Sequence, residues 1–178
     1  MTRLPGDPSH DQAIARMIRV DHAGEYGATR IYAGQLAVLR ESGKAELVRH
    51  MKAQEDAHLD TFNRLVAERR VRPTALLPFW HLAGFALGAV TAALGEKAAM
   101  ACTVAVEETI DEHYAQQVRD LGETEPALRG TLERFRAEEL EHRDIGLAHG
   151  AEQTPGYRLL SAAIKTGCRV AIKLSERI

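Results

Sequence analysis

Two units of ligand-type residues recur in this 178-residue chain at nearly the same spacing. Glu25 precedes Glu55-x-x-His58, and Glu107 precedes Glu139-x-x-His142, with 30 residues from Glu25 to Glu55 and 32 from Glu107 to Glu139. Residues three apart on a helix share a face, so each Glu-x-x-His pair directs a carboxylate and an imidazole to one point. A glutamate from the neighbouring helix completes the unit. Two such units facing each other make the four-carboxylate, two-imidazole arrangement of helical bundles that hold two iron or manganese ions. Oxygen-rich ligation with two nitrogens and no thiolate suits those ions better than structural zinc.

A single Glu-x-x-His is weak, because eight histidines with glutamate at roughly a tenth of positions produce about one such pair by chance. Placement strengthens the case. Glu25 continues the apolar stripe from Ile18 towards Tyr32, and Glu55 with His58 lies between Met51 and Phe62. Glu107 falls between Val104 and Tyr114, and Glu139 with His142 extends the face of Leu132 and Phe135. Four carboxylates turned into a core without partners would each cost several kcal/mol, a sum well beyond the roughly 5 to 15 kcal/mol by which a domain is stable. Two divalent ions would neutralise them. Asp21 and His22 are placed to orient ligands, and Tyr114, one heptad after Glu107, to donate a hydrogen bond or relay an electron. Glu108, Asp56, Glu138 and Glu141 fall off the stripes and read as solvated or outlying groups.

The elements that must position these residues are helices. Ser9 with Gln12 resembles a capping box, and Ile14, Ile18, Tyr32, Leu36 and Leu39 follow at helical period until Ser42-Gly43. A second helix carries Leu47, Met51, Phe62 and Leu65 and stops before Arg72-Pro73, with a connection short enough to make the pair antiparallel. The stretch from Ala75 to Gly95 is apolar, with Gly84 and Gly88 as small interface residues, and predicts a third helix after Pro78. Met100 to Leu121 predicts a fourth, Leu128 to Ile145 a fifth ending by Gly150, and about Tyr157 to the C-terminus a sixth. That last helix puts Leu160, Ile164, Val170, Leu174 and Ile178 to one side and Arg158, Lys165, Arg169, Lys173 and Arg177 opposite, a pattern suited to an anionic membrane surface. Pro78 and many small residues make packing or interfacial insertion the expectation for the third helix rather than spanning.

Composition agrees with one all-α domain over 1–178: 45% apolar but only 5% aromatic residues, and Ala, Leu, Glu and Arg in abundance. With 23 basic against 25 acidic residues, nothing points to nucleic acid as a partner. Cys102 and Cys168 form no Cys-x-x-Cys pair, which argues against a thiolate iron centre or a disulfide scaffold. Residues 1–10 lack a signal-peptide core and read as a flexible lead-in. No Gly-x-Gly-x-x-Gly fingerprint for a dinucleotide occurs.

Longer stretches carry a resemblance. Arg19-Val-Asp-His-Ala-Gly-Glu25-Tyr-Gly-Ala, Arg72-Pro-Thr, Gly84-Phe-Ala-Leu-Gly88, Cys102-Thr-Val-Ala-Val-Glu107-Glu108, Glu138-Glu139-Leu-Glu-His142 and Gly167-Cys-Arg-Val-Ala-Ile are similar to the demethoxyubiquinone hydroxylase family over nearly the whole chain. The resemblance implies a ferritin-like four-helix bundle with two additional helices forming an apolar, membrane-facing side. It implies a di-iron monooxygenase that uses O2 to hydroxylate the ring of a demethoxyubiquinone, late in ubiquinone biosynthesis, with reducing equivalents ultimately from NADH. All six ligand positions of the family are filled, by Glu25, Glu55, His58, Glu107, Glu139 and His142. His113 and Tyr114 match a pair implied to lie beside the substrate or electron path. The implied partners are a polyprenyl quinone, the membrane surface, an accessory lipid-binding protein and further copies of the chain. The implied location is peripheral, on the cytoplasmic face of a bacterial inner membrane or the matrix side of a mitochondrial one. A soluble ferroxidase or iron-storage subunit would use similar ligands, yet has no need of an apolar third helix.

Overall fold

The computed structural model describes residues 8–178, and most of the expected lead-in therefore lies outside the described residues. Ser9 caps the first helix as a capping box: its hydroxyl accepts from the Gln12 backbone at 3.1 Å, and its own N–H donates to the Gln12 side chain at 2.7 Å. Six helices follow, α1 (His10–Leu39), α2 (Ala45–Glu68), α3 (Leu77–Ala93), α4 (Glu96–Leu121), α5 (Pro126–Ala148) and α6 (Tyr157–Ser175), with one 3-10 turn at Ala151–Gln153. No strand occurs among the described residues. Pro78 and Pro126 sit in the first turns of α3 and α5, where a missing N–H has no intrahelical partner to lose.

The bundle is built from two helical hairpins, α1–α2 and α4–α5, with α3 packed on α1 and α6 on α4. Its core divides into three apolar clusters, one of them, around Ile31, Cys102, Val106 and Ile164, lying under α3 and α6. Tyr32, Leu39, Val48, Met51, Met100 and Val104 fill one end, and Ile14, Ile18, Phe62, Tyr114, Leu132 and Phe135 fill the other. Between them lies a polar layer made of the six predicted ligands.

Helix α3 approaches α1 closely enough for backbone to touch backbone. A Cβ on Gly88 would sit 1.9 Å from the Ile31 carbonyl oxygen, and one on Gly34 would sit 2.1 Å from that of Phe85. Any side chain at either position would force the two backbones apart. Helices α3 and α6 stand apart from each other and enclose an apolar cavity of about 480 Å³, floored by α1 and α4 beside Gly24 and Val106. At one end Trp80 Nε1 donates to Ser175 Oγ at 3.1 Å and ties the two walls together.

The apolar stripe expected on α6 is divided. Leu160 and Ile164 reach the groove and pack inward, while Val170, Leu174 and Ile178 are exposed together with Leu159. The reason is that small residues, Ser161 and Ser175, occupy the turns nearest the bundle and rotate the large side chains outward. Phe79, Leu82 and Val90 of α3, and Leu94 just after it, are likewise exposed, which leaves both groove walls with apolar outer surfaces. No helix among the described residues is long and apolar enough to cross a membrane.

Candidate metal centre

Each ligand-type side chain in the polar layer is at most 1% exposed: Glu25 from α1, Glu55 and His58 from α2, Glu107 from α4, Glu139 and His142 from α5. None of the six is a solvated surface group. The imidazoles turn Nδ1 inward. His58 Nδ1 lies 3.4 Å from Glu25 and 3.2 Å from Glu139, and His142 Nδ1 lies 3.0 Å from Glu55 and 3.3 Å from Glu139.

Ligand atoms of Glu25, Glu55, His58 and Glu139 fall within 4.8 Å of one another, and so do those of Glu55, Glu107, Glu139 and His142. Glu55 and Glu139 belong to both groups and can bridge two cations, while Glu25 with His58 and Glu107 with His142 can each close one end. Eight inward-facing atoms have no directed hydrogen-bond partner among the described residues. They are both oxygens of Glu55 and of Glu139, one oxygen each of Glu25 and Glu107, and Nδ1 of His58 and His142. Unpaired donors at this depth are costly, and eight of them divide into four for each of two ions. The donor set fits a pair of oxygen-preferring divalent metals.

The remaining oxygens of the two end carboxylates are held by tyrosines from the opposite hairpin. Tyr32 donates to Glu107 Oε1 at 2.7 Å, and Tyr114 donates to Glu25 Oε1. Behind the imidazoles, His58 Nε2 donates to Glu138 Oε2 at 2.6 Å and His142 Nε2 to Gln54 Oε1 at 3.0 Å. These outward bonds place the imidazole proton on Nε2 and leave Nδ1 free to ligate.

The electrostatics follow from crowding four acids in a dry interior. Burial, then repulsion from neighbouring carboxylates, drives the Glu55 and Glu107 carboxyls well above their ordinary range. Burial raises Glu139 too, against the opposing hydrogen bond from His58. For His58 burial favours the neutral ring, but contacts with Glu139 and Glu25 prevail and raise it to about 11; burial lowers His142. Left to themselves, these side chains bind protons where cations would balance them.

The model of the family "Ubiquinone biosynthesis protein COQ7" matches residues 12–175. The chain belongs to this family. It is 62% identical over 177 residues to a 3-demethoxyubiquinol 3-hydroxylase of Rhodospirillum rubrum, a match covering 99% of this chain and 84% of that one. The mitochondrial NADPH-dependent 3-demethoxyubiquinone 3-hydroxylase of Bos taurus is 55% identical, covering 97% and 81%. The mitochondrial 5-demethoxyubiquinone hydroxylase of Saccharomyces cerevisiae is 43% identical, covering 93% and 78%.

Within this COQ7-family chain, the six expected ligands meet in one cage, and Tyr114, placed by its spacing on the face of Glu107, donates across to Glu25 of the other hairpin. His113 does not enter the cage: its Nε2 lies 3.4 Å from Asp21 and 2.9 Å from Gln117, beside a polar surface cavity of about 260 Å³. Neither His113 nor Tyr114 lines the apolar groove. Asp21 is bonded to Gln117 and His22 to Asn63, so neither orients a ligand through a direct hydrogen bond. Glu138, read as a group either solvated or standing behind a ligand, takes the second place and holds His58. Glu108 and Asp56 pair with Lys165 and Lys52 as solvated groups do. Tyr32 is the cage contact that sequence reasoning missed, although it stands seven residues after Glu25 as Tyr114 stands after Glu107.

Proposed function

We propose that this chain is a di-iron monooxygenase that hydroxylates the ring of a demethoxyubiquinone, a late step of ubiquinone biosynthesis. The observation that carries the reading is the buried cage of four carboxylates and two imidazoles, with eight unpaired donor atoms, lying beneath an apolar groove. Glu25, Glu55, His58, Glu107, Glu139 and His142 would hold the two ions. Iron there would supply the electrons that reduce dioxygen. One oxygen atom enters the ring and the other leaves as water, so beyond the two electrons of the ring C–H each turnover takes two protons and two electrons, the latter coming from a reduced nicotinamide, NADH or NADPH, by way of the iron.

The chain's own residues position and exclude. The groove between α3 and α6 takes the polyprenyl tail and brings the ring against the turns of α1 and α4 that carry Glu25 and Glu107. Its near absence of polar lining keeps water from the path. Tyr32 and Tyr114 fix the orientation of the end carboxylates, and Glu138 and Gln54 fix the imidazoles. We read His113 and Tyr114 as positioning residues, since neither reaches the groove. The exposed apolar residues of α3 and α6 dip into one leaflet, and Arg158, Lys173 and Arg177 meet its anionic headgroups. That orientation opens the groove to a substrate dissolved in lipid.

Single-turnover reaction of the reduced protein with dioxygen and a demethoxyquinone, with iron measured in the same sample, tests the reading. Glu107→Ala and Glu139→Ala should each lose iron and hydroxylation together. Full activity in either variant would defeat the assignment.

A further inference from the structure

The two halves of the chain correspond position by position. Glu25, Tyr32 and Gln35 on α1 match Glu107, Tyr114 and Gln117 on α4, each 82 residues later, and Gln54, Glu55 and His58 on α2 match Glu138, Glu139 and His142 on α5, each 84 later. The contacts obey the same correspondence. Each tyrosine bonds the glutamate of the other half, and the residue before each bridging glutamate bonds the histidine of the other half. Gln35 donates to Thr103 at 3.3 Å, and Gln117 donates to Asp21 at 2.8 Å, again 82 positions apart.

Against this background four charge-bearing departures stand out among buried or cage-contacting side chains: Asp21 where the other half has Thr103, His22 where it has Val104, His113 where it has Ile31, and Glu138 where it has Gln54. All four lie on the side of Glu25 and His58, and His22 is bonded to the Asn63 amide at 3.0 Å rather than to a ligand. Asp21 and His113 are an acid and a base side by side, 3.4 Å apart, and largely offset one another. Glu138 has no such counterweight, since no Lys or Arg pairs with it among the described residues. Its carboxylate accepts from His58 Nε2 at 2.6 Å, whereas His142 is backed at 3.0 Å by a neutral amide. A carboxylate behind an imidazole strengthens the ring as a donor at its other nitrogen, and an amide does so less.

We propose that the two metal positions are inequivalent, with the position closed by Glu25 and His58 binding a divalent cation more tightly and filling first. Glu138 sets the difference as a positioning residue. The inference rests on the metal-centre reading above, and the two fail differently: a protein that binds no iron defeats that reading, while two equivalent binding events defeat only this one.

Anaerobic titration of the metal-free full chain with ferrous ion, followed by calorimetry and by Mössbauer spectroscopy at one equivalent of 57Fe, decides it. The expected result is two binding events about 10-fold or more apart in affinity and one dominant quadrupole doublet at one equivalent. Glu138→Gln should weaken the first event about 10- to 100-fold and produce both doublets, and Gln54→Glu should tighten the second event. His142→Ala should keep the tight event and His58→Ala should lose it. Both doublets in equal amount in the unaltered protein, doublets unmoved by Glu138→Gln, or a tight event that survives His58→Ala but not His142→Ala would overturn the proposal.

Discussion

Replacing Gly88 by alanine puts a methyl group where the backbone of α1 already lies. The new Cβ would stand 1.9 Å from the Ile31 carbonyl oxygen, while ordinary contact begins at 3.4 Å, so α3 must retreat by 3.4 − 1.9 = 1.5 Å. Neither helix can absorb this with a rotamer, because the opposing atom is main chain. Overpacking costs about 1–3 kcal/mol, and a clash against fixed backbone belongs at the upper end of that range. Alanine's better helix propensity returns about 1 kcal/mol, which leaves a net loss of about 2 kcal/mol. For a chain of this size each kcal/mol moves the melting temperature by about 2–4 °C, so thermal unfolding of the iron-loaded protein should fall by about 4–8 °C. Gly130, exposed on α5 where an added Cβ would meet nothing within 4 Å, is the control. Its alanine variant should melt at or above the parent. Iron content should survive Gly88→Ala, since α3 supplies no ligand, while binding of a short-tailed quinone should weaken as the groove wall shifts. A Gly88→Ala protein that melts with the parent would refute the backbone contact and the argument built on it.

Tyr114→Phe removes the donor to Glu25 and should lower iron affinity about 10- to 100-fold, read by chelator competition, with a parallel effect for Tyr32→Phe on Glu107. Metal-free protein should be more stable in mild acid than at neutral pH: Glu55, Glu107 and Glu139 are raised in the fold, so they favour it fully below the ordinary carboxylate value of 4.5 and lose that support as pH rises through the shifted values. His142, lowered by burial, pulls the other way as pH falls, but it is one group against three. Melting curves at about pH 5.5 and about pH 8 check the sign, and added ferrous or manganous ion should reverse it, because metals displace those protons. Sedimentation with anionic vesicles should carry the protein down, and Leu82→Glu with Leu159→Glu, both on exposed positions, should leave it in the supernatant with its iron intact.

The cage is legible in the sequence because its residues obey two rules that need no tertiary knowledge: three-residue spacing on one face, and recurrence of the unit. Glu-x-x-His gives the imidazoles, and register with Ile18, Met51, Val104 and Phe135 gives their inward direction. Tyr32 obeys the same recurrence as Tyr114 but passes for one more apolar stripe residue, since a tyrosine in a stripe satisfies packing without any partner. Glu138 and Gln54 are invisible to periodicity altogether. They sit beside the stripe, and they matter only because each lies across from the histidine of the other half. The facing of α6 departs from expectation for a related reason: the pattern shows an apolar sector, but Ser161 and Ser175 decide which edge of that sector meets the bundle.

The duplicated layout bears on how such a centre can diversify. A three-helix segment like α1–α3 pairing with an identical twin would assemble the same cage, but every substitution would then appear twice, and both imidazoles would keep the same backing. Tethering the halves in one polypeptide releases that constraint. Gln54 and Glu138 can differ only because they are encoded separately, and a single codon change can then alter one imidazole while its twin stays as it was.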